Sequence, residues 1–154
     1  MDTKARIRII LALAFCLAAA VLSGILLGQH HGEPWATSTV TEHCGDGESS
    51  GCEDVARSAW STLAGMPLAA LGLAFYASLA LLGCLALFAP AGVRKALIGF
   101  VLIPCLLLGL AFDLFLLMLQ AFAIHAWCPF CIATYVLALA ALLVLLPFRG
   151  SLRR

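Results

Sequence analysis

Charge is scarce in this sequence. Only 11% of its 154 residues are Asp, Glu, Lys or Arg, and 64% are hydrophobic, whereas a soluble domain has about 25% charged and 45–50% apolar residues. That shortage excludes a soluble globular fold, and a mean hydropathy of +1.08 excludes a disordered chain. No block of like charge appears and the net charge is +1. The chain therefore has no electrostatic footprint for phosphate, and no nucleic-acid partner is expected. Internal repeats and low-complexity segments are lacking too, and the length fits a single domain over residues 1–154.

Apolar runs are abundant. A hydrocarbon core about 30 Å thick is crossed by about 20 helical residues, and four runs reach that size. Residues 9–28 carry no charge. Residues 66–89 open with Pro67, which a helix start tolerates, and stop at Pro90. Residues 96–124 are interrupted once, by Asp113, with Pro104 as an expected kink, and residues 127–148 complete the set. The expected fold is an all-α membrane protein, a four-transmembrane-helix bundle. Lys4, Arg6 and Arg8 precede the first span, Arg94 and Lys95 join the second to the third, and Arg149, Arg153 and Arg154 follow the fourth. Positive residues stay on the cytoplasmic side, so both termini are expected there. The loop over 29–65, with Glu33, Glu42, Asp46, Glu48, Glu53 and Asp54 against Arg57 alone, is then extracytoplasmic, as is a short turn at 125–127. The basic start and first apolar run also resemble a secretory signal. They read instead as a retained anchor, because cleavage would upset the sidedness of the remaining basic residues.

The seven cysteines divide once this topology is drawn. Cys16, Cys84 and Cys105 fall within spans, where a thiol is a small apolar filler. Cys44, Cys52, Cys128 and Cys131 all face the extracytoplasmic compartment, where oxidising conditions permit disulfide chemistry. In Trp127-Cys128-Pro129-Phe130-Cys131, Pro129 suits the first helical turn, which puts Cys128 at a helix N-terminus where free amides favour a thiolate. The i, i+3 spacing sets both sulfurs on one face, near enough to bridge reversibly. A metal site is the other use of such a pair, with His30, His31, His43 and His125 topologically near, but a matching second knuckle is missing. Residues 44–52, with three glycines and two serines, predict a mobile segment able to bring a sulfur to more than one neighbour. Residues 53–63 predict about three helical turns, with Val55, Ala59, Trp60 and Leu63 on a face laid along the membrane surface, either as a lid or as an ordinary interfacial helix without catalytic duty.

Taken together, Cys44-x7-Cys52, Ser58 six residues later, Gly65-x-Pro67, Gly72-x3-Tyr76 and Cys128-Pro129-Phe130-Cys131 with Tyr135 four residues on resemble the vitamin K epoxide reductase family over nearly the whole chain. The resemblance implies a membrane thiol oxidoreductase coupled to a non-covalently bound quinone: ubiquinone, menaquinone or a vitamin K-type ring. It implies that Cys128 and Cys131 are the catalytic pair, with Cys131 nearest the quinone. Cys44 and Cys52 become a shuttle pair, Cys52 exchanging with Cys128 and Cys44 meeting the incoming thiol. Ser58 corresponds to the family's loop serine beside the active site, and Tyr135 to its quinone-contacting tyrosine.

Bacterial members of that family oxidise a thioredoxin-like dithiol protein, and many carry it fused after a fifth span. Here the sequence ends at Arg154, so a separate DsbA-like partner is expected, at a bacterial inner membrane with the active site facing the periplasm or cell exterior. The vertebrate asparagine that helps hold vitamin K has no counterpart, because the sequence contains no asparagine. Disulfide formation is therefore the leading expectation. Vitamin K (epoxide) reduction proper, a non-enzymatic metal–thiol carrier and a stapled assembly factor are the alternatives.

The same electron path follows from general chemistry. Thiolate attack on a disulfide moves electrons from a soluble dithiol to the loop pair and on to the helix-end pair. The last acceptor must live in lipid, since the chain has no room for a dinucleotide-binding fold. Asp113, about 26 Å along a helix begun at Ala96, has two readings: it relays protons to the reduced quinone or pairs with His125, or it is satisfied by a neighbouring helix. His125 reads as an interfacial histidine that could also stabilise the Cys128 thiolate.

Overall fold

The computed structural model describes residues 3–44 and 51–150. The segment 45–50, expected to be mobile, and the terminal Arg153 and Arg154 lie outside the described residues. The elements are α1 (Thr3–His30), α2 (Pro34–Cys44), α3 (Gly51–Arg57), a 3-10 turn at Ala59–Ser61, β1 (Thr62–Leu63), β2 (Met66–Pro67), α4 (Leu68–Phe88), α5 (Ala91–Ala96), α6 (Ile103–Leu119) and α7 (Pro129–Gly150). Wide π-type turns at Leu97–Leu102 and Gln120–Ile124 flank α6.

Among the described residues, four helical segments are long and apolar enough to cross a membrane: Thr3–His30, Leu68–Phe88, Ala91–Ile124 and Pro129–Phe148. The protein is an all-α four-helix membrane bundle. The third segment stays helical through Pro104. Proline lacks an N–H, and the chain adapts by widening one turn upstream, where the Ile103 N–H reaches back five residues to the Ile98 carbonyl.

Helix α1 lies at the centre, packed along α4 and α7. Leu13 lies against Gly83, Gly24 against Leu73 and Ser23 against Gly72, so α1 and α4 run antiparallel. The interior of α1 is a stripe of small residues, Ala12, Cys16, Ala19, Ala20 and Ser23. Small side chains let helices approach closely where lipid gives no hydrophobic drive for association. Leu81, Phe88, Phe100, Leu108 and Phe122 point outward, each more than 60% exposed, as lipid-facing positions require. Because α1 and α4 are antiparallel, the basic residues Lys4, Arg6 and Arg8 share an end with α5, which carries Arg94 and Lys95.

The opposite end is capped by segments that the sequence presents as loop. Helix α1 stops in a Schellman turn: Glu33 N–H donates to the Gly28 carbonyl at 3.0 Å and Gly32 N–H to the Gln29 carbonyl at 3.0 Å. Gly32 adopts φ +73°, which glycine tolerates without a Cβ penalty. The chain folds back so tightly that a Cβ on Gly28 would stand 2.8 Å from that of Ala36, and Pro34 opens α2 at a position suited to proline.

The expected continuous helix over 53–63 is not formed. It ends at Arg57, because Ser58 turns extended (φ −64°, ψ 155°) and its hydroxyl donates to the Val55 carbonyl at 2.8 Å, a bond that competes with helix continuation. Leu63 instead pairs with Met66 in a two-residue hairpin whose central residues, Ala64 (φ 52°) and Gly65 (φ 81°), are both left-handed. The apolar surface anticipated there exists, but Trp60, Leu63 and Met66, each about half exposed, present it from the turn and hairpin.

Candidate active site

The two cysteine pairs meet at this capped end. Cys128 is the N-cap of α7: its carbonyl receives the first helical bond, from Ile132 N–H at 3.1 Å, and its Sγ accepts the Cys131 N–H at 3.3 Å. Pro129 at the first helical position has no N–H to satisfy. The sulfur thus occupies the place a capping oxygen takes, facing free amides at the positive end of the helix. A hydrogen bond from the Cys131 thiol, joined by the N–H groups of Cys131 and Phe130, holds the Cys128 thiol below its ordinary value although burial acts the other way. From behind, the buried Gln120 side chain accepts the Cys128 N–H through Oε1 at 2.9 Å. His125, in left-handed conformation (φ 56°), closes the wide turn that delivers the chain from Gln120 to Cys128.

The loop pair is a disulfide, Cys44–Cys52, whose Cα atoms are 6.2 Å apart. It ties the end of α2 to the start of α3. Cys52 and Cys128 are each 1% exposed and sit in one apolar cluster with Val40 and Phe130, against which Cys44 and Cys131 are partly buried. Two further contacts fix the approach. A Cβ on Gly51 would collide with the Trp127 carbonyl, so only glycine lets α3 come this close to the residue before Cys128. The His43 ring meets Phe130 edge-on, with centroids 6.0 Å apart.

Cys52, Cys128 and Cys131 all line one cavity of about 590 Å3. Its walls come from the upper parts of α1, α4 and α6, from α3 and from the hairpin, and they are mostly apolar. Leu108 and Phe112, both on α6, line it and are 71% and 41% exposed. A few polar groups stand in this apolar setting, among them Ser23, His30, Ser58, Ser61, Tyr76, Asp113, Gln120 and Thr134. Volume, walls and sparse polar groups suit a ring-bearing, lipid-soluble ligand of the quinone kind.

Of the residues singled out from sequence, the four outer cysteines converge and Ser58 lines the cavity. Tyr135 does not join them. It packs partly buried against the bundle core, and Tyr76 and Thr134 stand in the cavity wall. Asp113 pairs not with His125 but with the α4 hydroxyl of Tyr76, which donates to Oδ2 at 2.6 Å. His125 is exposed. Gln120 was not anticipated, and its only signal in the sequence is an amide stranded in an apolar span.

The free thiols of Cys128 and Cys131 beside a formed disulfide are chemically equipped for thiol–disulfide exchange. No individual curated protein matches the chain. Residues 10–146 match the vitamin K epoxide reductase family, a span that includes all four outer cysteines. The chain belongs to the vitamin K epoxide reductase family and is a multi-pass membrane thiol–disulfide oxidoreductase.

Proposed function

We propose that the protein is a quinone-dependent oxidoreductase that reoxidises a separate thioredoxin-fold, DsbA-like dithiol protein and so supports disulfide-bond formation, at a bacterial inner membrane with its active site outside the cytoplasm. The observation that carries this reading is the shared cavity: Cys52, Cys128 and Cys131 line one apolar chamber, while Cys44 is the half of the loop disulfide that is only partly buried. The basic residues at the far end of the bundle support the sidedness.

In this reading a partner thiolate attacks Cys44, Cys52 leaves, and the second partner thiol resolves the mixed disulfide. The partner is oxidised and Cys44 and Cys52 become thiols. Cys52 then attacks Cys128 in a Cys128–Cys131 disulfide, and Cys44 attacks Cys52 in turn. This restores Cys44–Cys52 and leaves Cys128 and Cys131 as thiols, the combination seen in the structure. A bound quinone supplies an acceptor for two electrons and two protons. Cys128 and Cys131 give these up and close their disulfide, Cys131 lying on the acceptor's side. Ser58 fixes the loop on the cavity wall, and Tyr135 supports α7 one turn below the pair.

The test is anaerobic addition of short-chain ubiquinone or menaquinone to reduced protein, followed by alkylation of Cys128 and Cys131. Both thiols are expected to become protected in proportion to quinone. In Cys131→Ser protein a Cys52–Cys128 bridge, or a mixed disulfide with a dithiol partner, is expected to accumulate. Thiols that stay alkylatable, with a Cys44–Cys52 bridge inert to exchange, would overturn the reading.

A further inference from the structure

Among the polar groups of the cavity, thiol exchange leaves a hydrogen-bonded pair unused. Tyr76 on α4 and Asp113 on α6 are joined by a 2.6 Å hydrogen bond, and both line the cavity that also holds Cys131. An acid within a membrane span is costly to keep and by default marks a functional site. Packing accounts for Tyr76, which belongs to the apolar core cluster of the bundle, but not for a carboxyl beside it.

We propose that the Tyr76–Asp113 pair is the polar anchor for a ring oxygen of the lipid-borne acceptor, with Asp113 touching that oxygen and Tyr76 positioning Asp113; this rests on the quinone reading above. The donor and acceptor inventory supports it. In its neutral form the pair carries two hydrogens: one lies between Tyr76 Oη and Asp113 Oδ2, and the other, on the carboxyl, is free to donate to a carbonyl oxygen in the cavity. An apolar chamber can hold a ring in many orientations, whereas one hydrogen bond at the wall selects the orientation that turns the ring toward Cys131.

The same group balances the chemistry. Closing the Cys128–Cys131 disulfide releases two electrons and two protons, and the acceptor takes up both. Asp113 passes its proton to the oxygen it holds and regains one of the two released by the thiols, so it is unchanged after a turnover.

The experiment uses the full-length protein in lipid nanodiscs with 13C-carbonyl-labelled ubiquinone-1, read by difference infrared spectroscopy, and with a redox-inert analogue for affinity. In the wild type one labelled carbonyl band should shift down on binding. Asp113→Leu should abolish that shift and weaken binding of the analogue about tenfold, the loss of one buried hydrogen bond of about 1.4 kcal/mol. Asp113→Asn, which keeps a donor, should retain part of the shift while slowing quinone-dependent oxidation of Cys131. Tyr76→Phe should broaden the band by freeing the carboxyl. Disulfide exchange at Cys44–Cys52 on the same preparations reports folding. A folded Asp113→Leu protein with the wild-type band shift and affinity would overturn the anchor while leaving the quinone reading intact. A wild-type protein that neither binds nor is oxidised by ubiquinone or menaquinone would overturn that reading and this inference with it.

Discussion

The side-chain oxygen of Gln120 accepts the backbone N–H of Cys128 at 2.9 Å, across eight residues of sequence. One buried amide thereby locks the end of the third span to the start of the fourth, at the residue that shares an apolar cluster with Cys52. Gln120 is 2% exposed and also contacts the Cys131 sulfur. Gln120→Leu leaves the Cys128 N–H without its partner in a buried site, a loss of about 1–3 kcal/mol. The expected result is a lower unfolding temperature in detergent and slower formation of the Cys52–Cys128 bridge in a Cys131→Ser background. Unchanged values in both assays would mean that the turn at 125–127 holds its shape without Gln120.

The Cys131 thiol is the largest cause holding the Cys128 thiol below its ordinary value. Removing it should therefore raise the Cys128 value. The fraction ionised at neutral pH falls, and the alkylation rate of Cys128 rises with pH along a curve displaced to higher pH in Cys131→Ala than in wild type. The Cys131 and Phe130 N–H groups still face the sulfur and oppose the effect of its burial, so the size of the displacement reads what the Cys131 thiol alone contributes. Iodoacetamide kinetics across pH 5–9, with Cys44 and Cys52 kept as a disulfide, measure it directly. A curve that does not move would assign the effect to the helix N-terminus alone.

Much of the site was legible in the sequence because it rests on local rules. Pro129 after Cys128 specifies a helix start, and a helix start specifies a sulfur among free amides. The spans were equally plain, since charge-free length leaves few other options in lipid. Helix α2 was missed for a physical reason. Its Thr-Ser-Thr-Val-Thr core is poor in helix formers, but Thr37, Ser38, Thr39 and Thr41 each return a hydroxyl to a carbonyl three or four residues back, so their polar groups are satisfied within the helix. Gly32 and Pro34 carried the stop and start signals.

Residues 53–63 erred the other way. The apolar spacing was real, but Ser58 and the Ala64–Gly65 turn divert the chain before a third helical turn forms. Satisfaction of Asp113 by a neighbouring helix was one of its two readings, but which residue does it could not be read: Tyr76 and Asp113 are 37 residues apart, and no periodicity links them.

Ala64 adopts φ 52° in the turn between Leu63 and Met66, a conformation that costs a residue with a Cβ about 1–2 kcal/mol. Glycine avoids that cost and loses about 0.5–1 kcal/mol of chain entropy instead. Ala64→Gly is therefore expected to stabilise the hairpin by about 0.5–1 kcal/mol, raising protection of the 62–67 amides in hydrogen exchange while leaving α1 and α7 unaffected. Lower protection at these amides would show that the turn relaxes in the membrane to a conformation in which Ala64 is unstrained.

Gly51 tests whether proximity of the two cysteine pairs limits exchange. A Cβ there would overlap the Trp127 carbonyl, with Trp127 N at 3.1 Å, and these are backbone atoms that cannot rotate away as a side-chain tip could. Gly51→Ala must push α3 off the turn before Cys128 and draw Cys52 back with it, since the two are adjacent. The Cys44–Cys52 disulfide itself can persist, because Cys44 is borne by α2. The expected phenotype is thus selective: oxidation of an added dithiol by the loop pair continues, whereas transfer from Cys52 to Cys128, followed by trapping in Cys131→Ser, slows by about tenfold or more, as displacement of reacting atoms by about 1 Å can impose. If both steps kept their wild-type rates, the contact between Gly51 and Trp127 would not be what brings the sulfurs into reach.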